Sequence, residues 1–243
     1  MTAAMTDSPA GLSPIRIHGK FTDAAYAAIR TGIRMGRILP GTRLHEAELA
    51  LQLGTSKTPV REALGRLVSD GLAAITPGGK SAVYVTHLSH KEIIDLYDAR
   101  EIIEPPLARL AAERATPEGL SALKAMLQSF EEALGLDDVY SLMELDSQYH
   151  ALIAGIADNR ALAQARERLD NSIAIARVTS VQNGHYKTSA LALREHTGMY
   201  AAMVERDGPT AARRMAEHIR RRRDDLIAKA AAMPGEGQRT ADG

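Results

Sequence analysis

The stretch Leu49–Leu72, LALQLGTSKTPVREALGRLVSDGL, constrains this chain more than any other. Two short apolar-periodic segments flank a glycine-led turn, and Lys57 and Arg61 stand at the front of the second. Glu46–Leu53 reads as a short helix stopped by Gly54 just past its end. The next helix is expected to start near Thr58, a good N-cap, with Pro59 at its first position. It buries Val60, Leu64, Leu67 and Val68 and stops near Gly71. This is the layout of a helix-turn-helix, whose second helix enters the DNA major groove.

The flanks complete a small domain. Phe21–Gly36 places Tyr26, Ile29 and Ile33 on one helical face, and Leu39, Pro40 and Gly41 break it. Ala73–Thr76 and Ala82–Thr86 read as two short strands around Pro77, Gly78, Gly79 and Lys80, a hairpin. The expected fold is therefore mainly α. Three helices and a β-hairpin wing form a winged helix-turn-helix over residues 21–87, after a loose arm at 1–20. An all-α antiparallel bundle follows over 88–232, and residues 233–243 form a disordered tail.

Bundle helices are expected at 90–114, 117–134, 138–157, 160–181, 188–206 and 209–232. Ser89 and Glu92 make a capping box for the first, which should bend at Pro105 and Pro106. Thr116 and Pro117 start the second. With no Cys and 4% aromatic residues, disulfides, zinc fingers and thiol catalysis are excluded, and the core must be aliphatic. No apolar run approaches the roughly 20 residues of a membrane span. No signal-peptide pattern opens the chain, so a cytoplasmic protein is expected.

Zero net charge taken over the whole chain argues against DNA. Residues 1–88, however, hold 10 basic and 6 acidic side chains, a balance of +4. The remainder holds 20 basic and 24 acidic, a balance of −4. A basic head on an acidic body is what a chain needs when only one domain meets phosphate.

Ser56, Lys57, Thr58 and Arg61 supply polar and basic groups at the front of the recognition helix. Arg61 can fork onto a guanine edge, and Lys57 can do so or hold a phosphate. Lys80, beside Gly79 at the wing tip, can reach the neighbouring backbone or minor groove. On spacing alone the same charges also suit a solvated helix face.

In the bundle, Asp146 and His150 stand one turn apart on one face. His196 and His218 lie on later helices. One carboxylate and three imidazoles can hold a first-row metal with positions open for water or an acid. With 8 His in the chain, an Asp/His pair at this spacing also arises by chance. Arg100 can fork onto a carboxylate ligand, or simply pair with Glu101, Glu104 or another acid.

Residues 40–72 closely resemble the winged-helix domain of the GntR family of bacterial transcription regulators. The match follows PG-x-R-L-x-E-x-E-L-A, then L-G-x-S-K-T-PVREAL and DGL. The resemblance implies DNA contacts at Ser56, Lys57, Thr58 and Arg61, with Gly79 and Lys80 in the wing. Two positions depart from the pattern. Lys57 stands where arginine is usual, and Ala47 where many members place an arginine that grips DNA.

The segments IDLYDAREIIEPPLARLAAERAT, LDSQYHALIAGIADNRAL, REHTGMYAAM and AEHIRRR resemble the FCD effector domain of the FadR-type branch. That implies a divalent metal on Asp146, His150, His196 and His218: zinc, with nickel, manganese or cobalt as alternatives. It also implies Arg100 as a pocket residue for a small organic-acid effector, with Arg177 and Asn171 as further lining. The expected protein is a homodimeric repressor on a palindromic double-stranded operator, with no membrane partner. The alternative is a helical metalloenzyme acting on a small carboxylate; a ligand-independent DNA-architectural protein is a further rival.

Overall fold

The computed structural model describes residues 19–76, 82–136, 138–182 and 190–230. The wing tip with Gly79 and Lys80, the tail at 233–243 and nearly all of the expected arm lie outside these residues.

Helix α1 spans Gly19–Arg34, α2 Glu46–Gln52 and α3 Lys57–Ser69. Strands β1 (Ala73–Ile75) and β2 (Val83–Val85) pair antiparallel, with Ala73 opposite Val85 and Ile75 opposite Val83. Gly54 and Gly71 take φ +63° and +73° just past α2 and α3. Each is a left-handed helix stop that suits glycine. One expectation is corrected here. The N-cap of α3 is Ser56, not Thr58, so Pro59 sits at the third helical position. Proline is tolerated there too, because the first turn's N–H groups have no intrahelical acceptor. Ile29 and Ile33 of α1, Val60, Leu64 and Leu67 of α3, Leu72 and Val85 form one buried core.

Among the described residues six further helices follow: α4 (His90–Arg114), α5 (Pro117–Gly135), α6 (Val139–Ile156), α7 (Arg160–Gln182), α8 (Ala190–Val204) and α9 (Gly208–Ala230). Their starts follow the caps. Ser89 accepts from the Glu92 N–H while the Glu92 carboxylate accepts from the Ser89 N–H at 2.8 Å. Thr116 caps α5 with Pro117 at its first position. Pro105 and Pro106 do not end α4, which continues through both to Arg114. Small residues on α4 (Ala108, Ala111, Ala112) and Ala211 on α9 are fully buried and let these two helices lie close together. Leu107, Tyr149, Ile153, Met199, Met203, Met215 and Ile219 fill the bundle core.

The two cores are not independent. Ile175 of α7 is fully buried in the cluster built by α1, α3 and the wing strands. Burying a side chain of this size stabilises by about 1.5–3 kcal/mol. The Asn171 amide donates to the Asp70 carbonyl at 3.1 Å, and Arg34 at the end of α1 bonds Asp170 of α7 at 2.6 Å. Helix α7 is thus shared between the head and the bundle.

Candidate functional site

Asp146 and His150 project from one face of α6, His196 from α8 and His218 from α9. One donor atom from each lies within 4.8 Å of the others, and all four residues are buried. Around them stand outer partners. His150 Nδ1 meets the Glu104 carboxylate of α4, and His218 Nδ1 lies 2.8 Å from Glu195 Oε2. The Tyr149 hydroxyl donates to the His196 carbonyl at 2.8 Å, and its ring stacks on the His196 imidazole at 4.4 Å. Carboxylates on the far nitrogens of ligand histidines orient the rings and raise their basicity.

Several buried atoms in this set make no hydrogen bond: Asp146 Oδ1, His150 Nε2 and both nitrogens of His196, although His196 Nε2 lies 3.3 Å from Asp146 Oδ1. Leaving such atoms unsatisfied costs about 1–3 kcal/mol each. A cation among the four would satisfy His150, His196 and Asp146 at once, so the residues fit a divalent metal. Their protonation fits as well. Burial pushes His218 down to about 3, against the pull of Glu195. Burial also lowers His150 despite its contact with Glu104. Burial opposes the Asp146 charge, but Arg177 and the neighbouring imidazoles hold it well below the usual carboxylate range. Neutral imidazoles and an ionised carboxylate are what metal binding requires.

Three guanidiniums border the cluster. Arg100 Nε donates to Glu104 Oε1 at 2.6 Å, while its Nη2 is buried without a partner. Arg177 donates to Asp146 and, at 2.5 Å, to the Ser147 hydroxyl. Arg166 reaches the Ser147 carbonyl at 3.2 Å and Asp170 at 3.4 Å.

In the head, Ser56, Lys57, Thr58 and Arg61 line the exposed front of α3. The Ser56 hydroxyl is not spent on capping. Arg61 is held by Glu46 of α2, with Nε 2.9 Å from one carboxylate oxygen and Nη2 2.8 Å from the other. Ala47 is exposed on the same short helix.

Comparison with known proteins follows this two-part division. Residues 21–83 match the bacterial regulatory proteins of the gntR family, and residues 95–221 match the FCD domain. The chain belongs to the GntR family and carries an FCD domain. The HTH-type transcriptional repressor RspR of Escherichia coli K12 is 30% identical over 194 residues, covering 80% of this chain and 83% of RspR. The Nta operon transcriptional regulator of Aminobacter aminovorans is 28% identical over 188 residues, covering 77% of this chain and 86% of that protein. The fold is that of E. coli McbR/YncC, with TM-score 0.75 at 23% identity over 87% of this chain and 99% of that one. This GntR protein is a DNA-binding transcription regulator and not an enzyme, which removes the metalloenzyme alternative. Among the described residues, no helix is long and apolar enough to cross a membrane.

The GntR/FCD chain brings Asp146, His150, His196 and His218 into one cluster and sets Arg100 beside it, through Glu104. Arg177 touches the cluster directly. Asn171 instead bonds the head at Asp70. Sequence reasoning missed Glu195, Ser147 and Arg166, and met Glu104 only as a partner for Arg100. The Arg100–Glu104 spacing of one helical turn was visible; the pairing of Glu195 with His218, 23 residues apart, left no periodic signal.

Proposed function

We propose that this regulator is a homodimeric repressor whose operator binding is controlled by a small organic acid. A head over residues 21–87 reads double-stranded DNA through Ser56, Lys57, Thr58 and Arg61, with Gly79 and Lys80 at the wing. Two heads spaced by the dimer demand a palindromic operator. The effector domain over residues 88–232 holds a divalent metal, zinc or alternatively nickel, manganese or cobalt, on Asp146, His150, His196 and His218. When bound, the metal supplies a cationic centre for an acid oxygen; Arg100 takes the acid's carboxylate through its free Nη2. The protein works in the cytoplasm, where the chromosome is.

The observation that carries this reading is the set of partnerless atoms turned toward one another in the buried cluster. Their need for a cation explains four buried polar side chains that an apolar core would otherwise reject. The relative named a repressor supports the sign of regulation. An effector acts only through its different affinity for the DNA-binding and released arrangements. The test is a metabolite thermal-shift screen on metal-loaded protein, followed by a gel-shift titration of the operator with each hit. An acid that raises Tm and releases the operator is the expected result. Operator binding unaffected by every stabilising acid would overturn the regulation.

A further inference from the structure

The cations of the head fall into two groups. Arg30 and Arg34 face Asp170, Arg61 meets Glu46 and Arg66 meets Asp23. Among the described residues Lys20, Arg37, Arg43 and Lys57 have no ion pair. Of these, Arg43 is held in place by the wing. It bridges to Tyr84 of β2. On either side of it the Leu44 N–H donates to the Val83 carbonyl at 2.8 Å and the Val85 N–H to the Thr42 carbonyl at 2.9 Å. Ala74 of β1 also pairs with Tyr84, so the Arg43 segment lies along the other edge of β2. Directly opposed residues in such a ladder share a face, and successive residues alternate faces. Leu44, Val85 and Ala73 are buried in the head core. Arg43, Tyr84 and Ala74 therefore stand on the outer face; Arg43 and Ala74 are exposed and Tyr84 is half-buried. Among the described residues neither the Arg43 guanidinium nor the Tyr84 hydroxyl has a partner.

This pair lies along the chain between two elements that the proposed function sets against DNA. Arg43 comes three residues before Glu46, whose carboxylate grips Arg61 of the recognition helix. Tyr84 comes four residues after Lys80 of the wing. At about 3.3–3.6 Å per residue, each separation is at most ~10–14 Å. The major groove is about 12 Å wide, so groups this far from a helix seated in it lie over the phosphates at its edge. Resting on the reading that the front of α3 enters the groove, we propose that Arg43 and Tyr84 form a phosphate clamp on the DNA backbone between recognition helix and wing. The guanidinium forks onto two phosphate oxygens. The phenol, whose Cβ is about 4.5–5.5 Å from that of Arg43 in an opposed pair, donates to the same group. Such a contact fixes the register of the head on the duplex and reads no base. The backbone bonds flanking Arg43 hold its strand in position before DNA arrives, which limits the ordering that binding must impose.

The experiment titrates the full chain onto two short duplexes of unrelated sequence, one A·T-rich and one G·C-rich, by fluorescence anisotropy over a range of salt concentrations. In Arg43→Gln the slope of log affinity against log salt should become shallower by about 0.9, the yield of one neutralised phosphate. Affinity should fall by the same factor on both duplexes. Arg43→Lys keeps the charge and should restore the slope. Tyr84→Phe should weaken binding by about 2–10-fold with the slope unchanged, as loss of a neutral hydrogen bond does. Arg37→Gln removes an equal unpaired charge next to Gly36, where the head meets Tyr140 of α6, and should leave the slope as it is. A merely structural role for Arg43 predicts a lower Tm and no change of slope. A slope unchanged in Arg43→Gln, or equally shallow in Arg37→Gln, overturns the clamp. Unequal losses on the two duplexes overturn it as well, because they make Arg43 a base reader. In each of these cases a slope that falls in Lys57→Ala leaves the reading of α3 standing. No wild-type binding to either duplex at low salt overturns both.

Discussion

Arg34 Nη1 lies 2.6 Å from Asp170 Oδ2, joining the last residue of α1 in the head to the middle of α7 in the helical domain. Arg166 reaches the other oxygen of the same carboxylate at 3.4 Å, and Arg166 also touches the backbone of Ser147, next to Asp146. One carboxylate therefore belongs to both the head and the surroundings of the buried Asp/His cluster. A displacement at Asp146 has a short polar route to α1.

This junction should be acid-sensitive. Burial opposes the Asp170 charge, but Arg34 and Arg166 outweigh it and hold the carboxyl below its ordinary value of 3.8. The folded value is the lower one, so the stabilisation is complete above the unfolded value and is lost as pH falls through the folded one. Wild type should exceed Asp170→Asn in stability by about 1–3 kcal/mol at neutral pH, the cost of leaving a charged partner unpaired. That gap should shrink below about pH 4. Denaturant melts from pH 3 to 8 measure it; a gap that stays flat into acid removes Asp170 from this role.

Gly36, two residues past α1, has φ +63°, and a Cβ there would sit 2.4 Å from the Tyr140 ring. Gly36→Ala therefore combines a left-handed backbone with a clash against α6. A loss of about 2–4 kcal/mol is expected from the two effects together. Gly36→Ala/Tyr140→Ala should recover only the steric part relative to Tyr140→Ala alone. Thermal denaturation of the four proteins decides it, and additive losses would remove the contact from the explanation.

Arg61 is presented by Glu46 with its fork already occupied. If it reads a base, Arg61→Ala should weaken operator binding by about 1–3 kcal/mol and relax preference at one base pair. Lys57→Ala should reduce affinity for all sequences and lower the salt slope by about one if it holds a phosphate. Gel-shift titrations on operator and scrambled DNA separate the two. Unchanged discrimination in Arg61→Ala would end its assignment as a base reader.

The buried Asp/His cluster should bind about one divalent ion per chain, raising Tm as ligand binding to the folded state does. His196→Ala/His218→Ala should abolish binding. Glu195→Gln, which touches no metal, should weaken it by about 10–100-fold by loosening His218. Elemental analysis and chelator competition read both variants; full zinc content in the double variant would disprove the ligand set.

Local signals in the chain were strong where the chemistry is local. Ser89 with Glu92 and Thr116 with Pro117 start their helices as their side chains require. Asp146 and His150 share a face because one helical turn separates them. The start of α3 was misplaced by two residues because Ser56 and Thr58 are both good caps, and Pro59 is tolerated at either register. The contacts that give the regulator its wiring were invisible for a different reason. Glu46 with Arg61, Glu195 with His218 and Arg34 with Asp170 pair across different helices, and no periodicity within a helix records which of its charges meets a distant one.

The burial of Ile175 beneath the winged head carries a consequence for anyone building hybrid regulators. A head transplanted from a relative must bring a socket shaped for that side chain, or the graft will leave an aliphatic peg stranded at the seam. The winged head and the helical domain of this chain are fitted to each other at Ile175, and exchanging either one means re-cutting α7 to suit it.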